Sequence, residues 1–222
     1  MKYYQFKSDS YYTNVRMDII GLIPKNKTSR ILEIGCGNGA TLVWLKDNGY
    51  CGEIYGIEKF PTAGKIAEKV LDVFLEGDIE HLESDFDPNS FDAILLLDVL
   101  EHLLDPWSVV KKLDRLLKNN GKLIISVPNI RNIKILSRLF FKNEFKYCIE
   151  GGILDITHLR FFTKMTLIDL LKPNKFIIND LFFTGVENTF AKKIVHKAFL
   201  GVFDSFLGVQ IVLACQREVV IK

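Results

Sequence analysis

The sequence predicts an α/β protein with a doubly wound parallel sheet. One observation predicts this fold class, and a second predicts a globular domain. Between residues 30 and 127, short apolar runs alternate with segments that have helical spacing, as expected for parallel strands joined by crossover helices. The 222 residues are 48% hydrophobic and 25% charged, which is an ordinary globular composition. A chain of this length and composition is expected to form one domain with a sizeable core.

The predicted strands are apolar runs bounded by glycine or acidic residues. They are Ile31–Ile34, Ile54–Ile57, Val73–Leu75, Phe91–Leu97, Lys122–Val127, Phe176–Phe183 and Val209–Cys215. The predicted helices are Thr41–Asn48, Pro61–Val70, Pro106–Lys118, Lys164–Leu171 and Thr189–Leu207. Asp105-Pro106 is typical of a helix start, and the Asn119-Asn120-Gly121 sequence is typical of a helix end.

Three segments depart from this alternation, and we interpret them as additions to a single domain spanning residues 1–222. They are an N-terminal lead-in, 1–29, and two covering insertions, 128–162 and 185–208.

Composition excludes several classes of protein. The 29 Lys and Arg residues nearly balance the 27 Asp and Glu residues, so no strong positive field indicates a nucleic-acid partner. Four cysteines show no metal-ligand spacing, which favours reduced thiols in a cytoplasmic protein. The polar segment Met1–Asn14 does not resemble a secretory signal, and polar residues interrupt the apolar stretch Ile194–Cys215, so we expect no membrane span.

A glycine-rich loop follows the first predicted strand. Gly35, Gly37 and Gly39 lie between this strand and the next helix, where glycines allow a nucleotide to approach the backbone. A plain tight turn is the alternative interpretation. Glu58 directly follows the second predicted strand, 19 residues after Gly39, where a carboxylate can accept hydrogen bonds from ribose hydroxyls. The combination is much more specific than either feature alone.

Acidic residues collect at the same edge of the predicted sheet. Glu33, Asp78, Asp98 and Glu101 all fall at or just beyond strand ends. Carboxylates beside the loop are unfavourable for the pyrophosphate of NAD, but they suit a nucleoside ligand with positive charge. S-adenosylmethionine is such a ligand, and a nicotinamide dehydrogenase is kept as an alternative.

These segments together resemble a class I S-adenosylmethionine-dependent methyltransferase. The group that it resembles most contains small-molecule and glycan O-methyltransferases, including the ubiquinone-biosynthesis enzymes. The resemblance is carried by Glu33–Gly39, Glu58, Gly77-Asp78-Ile79, Phe91–His102, Asp105-Pro106, Gly121–Asn129 and, as a lead-in helix, Tyr11–Arg16.

The resemblance implies a Rossmann-like fold with sheet order 3-2-1-4-5-7-6 and an antiparallel strand 7. It implies S-adenosylmethionine as cofactor. The implied cofactor-binding residues are Tyr12, Arg16, Glu33, Gly35, Cys36, Gly37, Gly39, Glu58, Lys59, Asp78, Ile79, Asp98 and Val99.

The residues after the fourth strand bear on the methyl acceptor. Asp98-Val99-Leu100-Glu101 lacks the Pro-Pro-aromatic signature of enzymes that methylate amino groups of nucleic acids. We therefore predict O-methylation of a small molecule or glycan, with a saccharide hydroxyl, such as one on a lipid carrier, ranked first. O- or C-methylation of a quinone or phenolic precursor ranks second. A non-catalytic binding module of the same fold is a further alternative, against which the intact glycines and Glu58 argue.

Two histidines are candidates for a general base that removes the proton of the acceptor hydroxyl. His158 lies beside Arg160 and two phenylalanines in a string that resembles one beside the acceptor pocket of sugar-modifying relatives, so Arg160 could bind a hydroxylic acceptor and His158 could deprotonate it. The alternative for Arg160 is a structural anchor in a capped loop. His102 follows the fourth strand. A structural role is the alternative for each histidine. Asp98, Glu101 and His102 resemble a cation-binding E-x-x-E-H sequence of quinone O-methyltransferases, but Asp98 is shorter than glutamate, so no metal ligand is predicted. His81 and His196 are expected on the surface.

Two stretches combine basic and apolar residues at helical spacing. The first contains Arg131, Lys134, Arg138, Lys142 and Lys146, and the second is Phe190–Leu207. One interpretation is helices packed on the sheet with a solvated basic face. The sharper hypothesis is that both cover the mouth of the active site and touch an anionic, partly apolar partner, such as the membrane surface that carries a lipid-linked glycan.

Overall fold

The computed structural model describes residues 14–83, 85–174, 176–186 and 202–218. Its strands are β1 (Arg30–Ile34), β2 (Glu53–Glu58), β3 (Val73–Glu76), β4 (Phe91–Leu97), β5 (Leu117–Pro128), β6 (Phe176–Thr184) and β7 (Gln210–Arg217). Its helices are α1 (Ala40–Asp47), α2 (Pro61–Val70), α3 (Pro106–Leu116), α4 (Ile133–Lys142), α5 (Lys164–Leu171) and the short α6 (Asp204–Leu207). Turns of 3₁₀ helix lie at Met17–Leu22, Leu100–His102 and Lys172–Asn174.

The seven strands form one sheet in the order β3-β2-β1-β4-β5-β7-β6. Strands β1 to β5 pair in parallel, whereas β7 runs antiparallel to both β5 and β6. The predicted sheet order and the antiparallel strand 7 are confirmed. Because β7 is reversed, it begins at the edge where the parallel strands end.

Helices cover both faces of the sheet, so each parallel strand is apolar on both sides. On one face, α1, α2 and the turn at Met17–Leu22 pack on alternate strand residues such as Ile31 and Leu95. On the other face, α3 and α5 pack on the intervening residues, such as Leu32 and Ile94. The core therefore consists of two layers separated by the sheet.

Side-chain caps fix the starts of two helices, and the first of them confirms the predicted helix start at Asp105-Pro106. Asp105 accepts a hydrogen bond from the Ser108 amide at the start of α3, where Pro106 occupies the first turn. Thr163 caps α5 in the same way. The predicted end of α3 at Lys118 is wrong, because the helix ends at Leu116 and β5 begins at once. The Asn-Asn-Gly sequence lies in an irregular part of β5, where the pairing with β4 shifts.

The added segments differ from their predictions. The described part of the lead-in, 14–29, forms a 3₁₀ turn rather than an α-helix, and Arg16 precedes that turn. Of the predicted helix Thr189–Leu207, residues 202–207 are described, and they hold only the short α6. The rest of this helix, with His196, lies outside the described residues. Within the described ranges, no helix has the length and apolar character that a membrane crossing requires.

We expect the central strand β4 to contribute strongly to stability. Ile94 is fully buried, so Ile94→Ala should lower the free energy of unfolding by about 2–5 kcal/mol through lost transfer energy and a residual cavity. Urea unfolding followed by circular dichroism measures this change. Ile66→Ala, at a half-exposed position on α2, is the matched control and should change stability by less than about 0.5 kcal/mol. Equal effects at both positions would contradict the core assignment.

Candidate active site

A cavity of about 570 Å³ opens at the edge of the sheet where β1, β2 and β4 end. Its walls come from the loops after these strands, from the start of β7 and from residues 152–159. Ligands of doubly wound proteins bind at this edge, because the loops there diverge from the ends of the parallel strands. The cavity is therefore the candidate active site.

The glycine loop closes tightly against the segment after β4. Gly35 has a φ of +69°, a backbone conformation that residues with a Cβ atom rarely adopt. A Cβ at Gly35 would lie only 2.8 Å from Cγ2 of Val99. The Gly35 amide donates to the carbonyl oxygen of Ile57 at 2.8 Å, which ties the loop to β2. Glycine is thus required here to bring the backbone up to the cavity wall.

Glu58 is buried at the end of β2 and held by two backbone amides. Its Oε2 accepts from the Gly37 amide at 2.8 Å, and its Oε1 accepts from the Phe60 amide at 2.9 Å. Burial raises the pKa of Glu58, whereas these hydrogen bonds act in the opposite direction. Each carboxylate oxygen can accept a further hydrogen bond. The fixed carboxylate is therefore ready to receive two hydroxyl groups from the cavity.

Glu33 is a second buried acid beside the glycine loop. Its side chain is buried near the end of β1, and Oε2 has no hydrogen-bond partner in the described part of the chain. Burial raises the pKa of Glu33 to about 8, although the nearby positive charge of Arg16 opposes the shift. A cationic group in the cavity would supply the interaction that this carboxyl group lacks.

Arg16 connects three distant parts of the chain at the cavity wall. Its guanidinium donates to Asp98 Oδ2 at 2.6 Å, to Ser126 Oγ at 2.8 Å and to Gln210 Oε1 at 2.9 Å, and it also binds Asp18. Gln210 Nε2 in turn donates to Asp98 Oδ1 at 2.8 Å. The backbone of Asp98 has a φ of +58°, which is uncommon for a residue other than glycine, and this network holds its carboxylate in place.

At the other end of the cavity, Asp78 and Ile79 follow β3. Lys59 Nζ lies 2.7 Å from Asp78 Oδ2, and the Glu80 amide donates to Asp78 Oδ1. These contacts lower the pKa of Asp78 and keep it ionised, although partial burial opposes them. Ile79 is buried beside it and offers an apolar surface. An acceptor next to an apolar wall suits a nucleobase with an amino group.

Glu101, His102 and His158 form a second titratable cluster in the same cavity. One ligand-type atom from each lies within 4.8 Å of the others, and the two imidazole centroids are 4.8 Å apart. Glu101 is 1% exposed, and neither carboxylate oxygen has a hydrogen-bond partner among the described residues. Burial raises the pKa of Glu101 well above its usual value, with Asp98 adding to the effect. Three such groups could hold a divalent cation.

The structure brings nearly all the predicted site residues together. Those that line the cavity are Arg16, Glu33, Gly35, Cys36, Gly37, Glu58, Lys59, Asp78, Ile79, Asp98, Val99, His102 and His158. Gly39 does not line the cavity; it is the N-cap residue of α1 and has a φ of +84°. Tyr12 lies outside the described residues. His81 is exposed, as expected.

The acceptor role considered for Arg160 is not supported. Its guanidinium donates to the carbonyl oxygen of Leu104 and lies 5.7 Å from the ring centroid of Trp107, so it anchors a loop outside the cavity lining. Sequence reasoning also missed Gln210 and Asp155, which do line the cavity. Gln210 gave no local signal because only the reversal of β7 brings it to this edge.

Comparisons with known proteins agree with this geometry. The family model of a methyltransferase domain matches residues 32–125. A ubiquinone biosynthesis O-methyltransferase from Xanthomonas oryzae pv. oryzae is 30% identical over 124 residues, which are 53% of this chain and 48% of the relative. The mitochondrial ubiquinone biosynthesis O-methyltransferase of Schizosaccharomyces pombe is 27% identical over 164 residues, covering 68% and 56%. The chain thus spans about half the length of the curated relatives that it matches.

Residues 32–125 of the chain are therefore similar to a methyltransferase domain. The structure of a S-adenosylmethionine-dependent methyltransferase from Archaeoglobus fulgidus shares its fold, with a TM-score of 0.66, 19% identity and 94% of both chains covered. The predicted Rossmann-like class I methyltransferase fold is therefore confirmed, and S-adenosylmethionine is the cofactor of the domain.

The residues of the cavity fit S-adenosylmethionine. Glu33 offers a buried oxygen without a hydrogen-bond partner to a cationic ammonium group. Glu58 would hold the ribose hydroxyls, and Asp78 with Ile79 would hold the adenine. The acidic wall thus matches a ligand with positive charge and no phosphate.

Glu33 should make the stability of the unliganded protein depend on pH. Between about pH 4.5 and pH 8 the folded protein keeps a proton on Glu33 that the unfolded chain has lost. The contribution of Glu33 to stability therefore falls as pH rises through this interval. We expect Glu33→Gln to gain stability relative to the wild type from pH 5 to pH 9 in urea unfolding. The exposed Glu68→Gln is the control, and parallel pH curves for wild type and Glu33→Gln would contradict the assignment.

Glu58 should be required for cofactor affinity. Glu58→Ala removes a charged acceptor of ribose hydrogen bonds, so S-adenosylmethionine should bind about 1.5–3 kcal/mol more weakly in calorimetric titrations. The control is Glu53→Ala at the opposite end of β2, where the exposed carboxylate pairs with Arg30. Unchanged affinity in Glu58→Ala, or an equal loss in Glu53→Ala, would show that the end of β2 does not bind the ribose.

Proposed function

We propose that this protein is a cytoplasmic O-methyltransferase that transfers the methyl group of S-adenosylmethionine to a hydroxyl group of a small-molecule or glycan acceptor. The observation that carries the proposal is the position of His158. Its imidazole lies in the wall of the same cavity as Glu33, Glu58 and Asp98. A base-competent ring beside the cofactor residues is what transfer to a hydroxyl group requires.

The orientation of His158 supports its role as the general base. Its Nδ1 lies 3.0 Å from the carbonyl oxygen of Ile153. A carbonyl oxygen only accepts hydrogen bonds, so this contact places the proton of the neutral ring on Nδ1. Nε2 then carries a lone pair that can accept the proton of an acceptor hydroxyl. The ring is 8% exposed, which limits competition from bulk water.

The chain's own residues would supply positioning, dehydration and proton transfer. When bound, S-adenosylmethionine supplies an electrophilic methyl group on a positively charged sulfur. His158 takes the hydroxyl proton as the acceptor oxygen becomes nucleophilic, and the fixed acidic wall holds the cationic parts of the cofactor. The segment 152–159 forms one side of the cavity, where it would help to exclude water from the reacting groups.

His102 is the second candidate base. Its Nδ1 lies 3.1 Å from the carbonyl oxygen of Thr157, so its Nε2 has the same capacity to accept a proton. The rings of His102 and His158 lie edge to face. The general base would be the histidine whose Nε2 comes within hydrogen-bond distance of the acceptor hydroxyl.

Two observations bear on the acceptor. The cavity wall beside His158 includes the polar residues Asp155, Thr157 and Glu101, which could bind an acceptor with several hydroxyl groups, and we rank a saccharide or lipid-linked glycan first. The names of the relatives favour a quinone or phenolic precursor as the second candidate. In either case, contact with a membrane would bring a lipid-borne acceptor to the cavity.

His158→Asn should lower the turnover of methyl transfer by about 10²–10⁴-fold while leaving S-adenosylmethionine affinity unchanged, because the variant loses only the base. The measurement is transfer of labelled methyl groups to a panel of saccharides, lipid-linked glycans and dihydroxyphenols, together with calorimetric titration of the cofactor. Loss of cofactor binding in His158→Asn would instead indicate damage to the cavity.

The exposed His81→Asn serves as the control, and it should behave like the wild type. Full turnover in His158→Asn with loss in His102→Asn would assign the base to His102. Loss of wild-type activity in a chelator, restored by Mg²⁺, would assign the cluster around Glu101 to a cation instead of a base. Transfer to none of the panel would contradict the proposed acceptor class.

A further inference from the structure

The helix α4 differs from the other helices of eight or more residues in the described ranges, because none of its residues is buried. Phe140 and Phe141 are 82% and 79% exposed, and Ile133 and Leu139 are nearly half exposed. Ile135 and Leu136 are partly buried, so α4 packs less closely on the rest of the described protein than the other helices of that length do. Large exposed apolar side chains on one element indicate a contact surface.

Basic residues surround these phenylalanines. Between residues 129 and 149 the chain carries Arg131, Lys134, Arg138, Lys142 and Lys146 against a single acidic residue, Glu144. Lys134, Arg138 and Lys142 occupy one side of α4 at four-residue steps and are exposed. In the part of the chain that the structure describes, no ion pair neutralises these three side chains. The surface formed by Phe140, Phe141, Lys134, Arg138 and Lys142 is called the α4 surface below.

The α4 surface is fixed next to the candidate active site. Asn132 caps α4 and donates through Nδ2 to the carbonyl oxygen of Gly208 at 2.8 Å. Val209 and Gln210, which follow immediately, line the cavity, as does Pro128 before α4. After the end of α4, Phe145 contacts Phe161 with ring centroids 5.5 Å apart, and Leu159, two residues before Phe161, lines the cavity. The segments before and after α4 are therefore both linked to residues that neighbour the cavity.

We propose that the α4 surface docks the protein on an anionic lipid bilayer. The phenylalanines enter the boundary between headgroups and acyl chains, while the lysines and arginine meet the negative headgroups. This deepens the proposed function, on which it rests for the delivery of a lipid-linked acceptor to the cavity. Binding to the bilayer does not itself depend on methyl transfer.

Charge favours a bilayer over a second copy of this chain. Two α4 surfaces facing each other would place two sets of lysines and arginines opposite one another, which is unfavourable at an interface. An anionic bilayer instead supplies both an apolar layer and negative charge. A lipid surface therefore satisfies both features of the α4 surface at once.

The test is co-sedimentation of the full chain with phosphatidylcholine vesicles, with and without phosphatidylglycerol, at low and high salt. We expect binding to require phosphatidylglycerol and to weaken with salt. Phe140→Ser with Phe141→Ser, and separately Lys134→Glu with Arg138→Glu, should each lower the partition coefficient by roughly tenfold or more. Calorimetric titration of S-adenosylmethionine should give the wild-type affinity in both double variants.

Matched double variants on exposed sites elsewhere control for composition and charge. Ile66→Ser with Met165→Ser removes two exposed apolar side chains, and Lys65→Glu with Lys69→Glu on α2 makes the same change in net charge. Both should bind vesicles like the wild type. The proposal is overturned by equal binding to neutral vesicles, by no binding at all, by an equal loss in the controls, or by dimerisation that disappears in the phenylalanine variant. Failure of vesicle binding with cofactor binding intact would leave the methyltransferase assignment standing.

Discussion

Buried carboxyl groups at one edge of the sheet are the constraint on which the rest of this site depends. Glu33, Glu58 and Glu101 are each no more than 4% exposed, and an ionised carboxylate without partners is costly to bury. Burial raises the pKa of all three carboxyl groups. Two backbone amides oppose this effect at Glu58, whereas Glu33 and Glu101 each have a buried oxygen without a hydrogen-bond partner among the described residues. A cationic ligand would supply the missing interaction, so these buried carboxyl groups favour a cofactor with positive charge.

The reversed strand β7 assembles the wall of the cavity from distant parts of the chain. Gln210 begins β7 and reaches both Arg16 and Asp98, which are 194 and 112 residues away. The same edge receives the segment 152–159, whose backbone amides at Leu159 and Arg160 donate to the carbonyl oxygen of Glu101. The segment that carries His158, the candidate base, is thus hydrogen-bonded to the turn that follows β4.

Local patterns predicted most of the fold, because buried strands and the glycine loop are specified by neighbouring residues. Phe91–Leu97 and Pro61–Val70 match their predicted bounds. The predictions that depended on long-range packing were less successful. The end of α3 was misplaced because Asn-Asn-Gly also suits an irregular strand. Arg160 anchors a loop, which was the alternative interpretation of this residue, and the choice depends on its contact with the distant Leu104. Gln210 could not be found without the sheet topology, whereas Glu58 could.

The most direct test of the account is to titrate the purified chain with S-adenosylmethionine and, separately, with NAD in a calorimeter. Both ligands contain adenine and ribose, but only NAD carries a pyrophosphate and only S-adenosylmethionine carries a sulfonium. Because the buried carboxyl groups at this edge of the sheet favour a cation, we expect saturable binding of one S-adenosylmethionine per chain and no binding of NAD. Binding of NAD without binding of S-adenosylmethionine would contradict it.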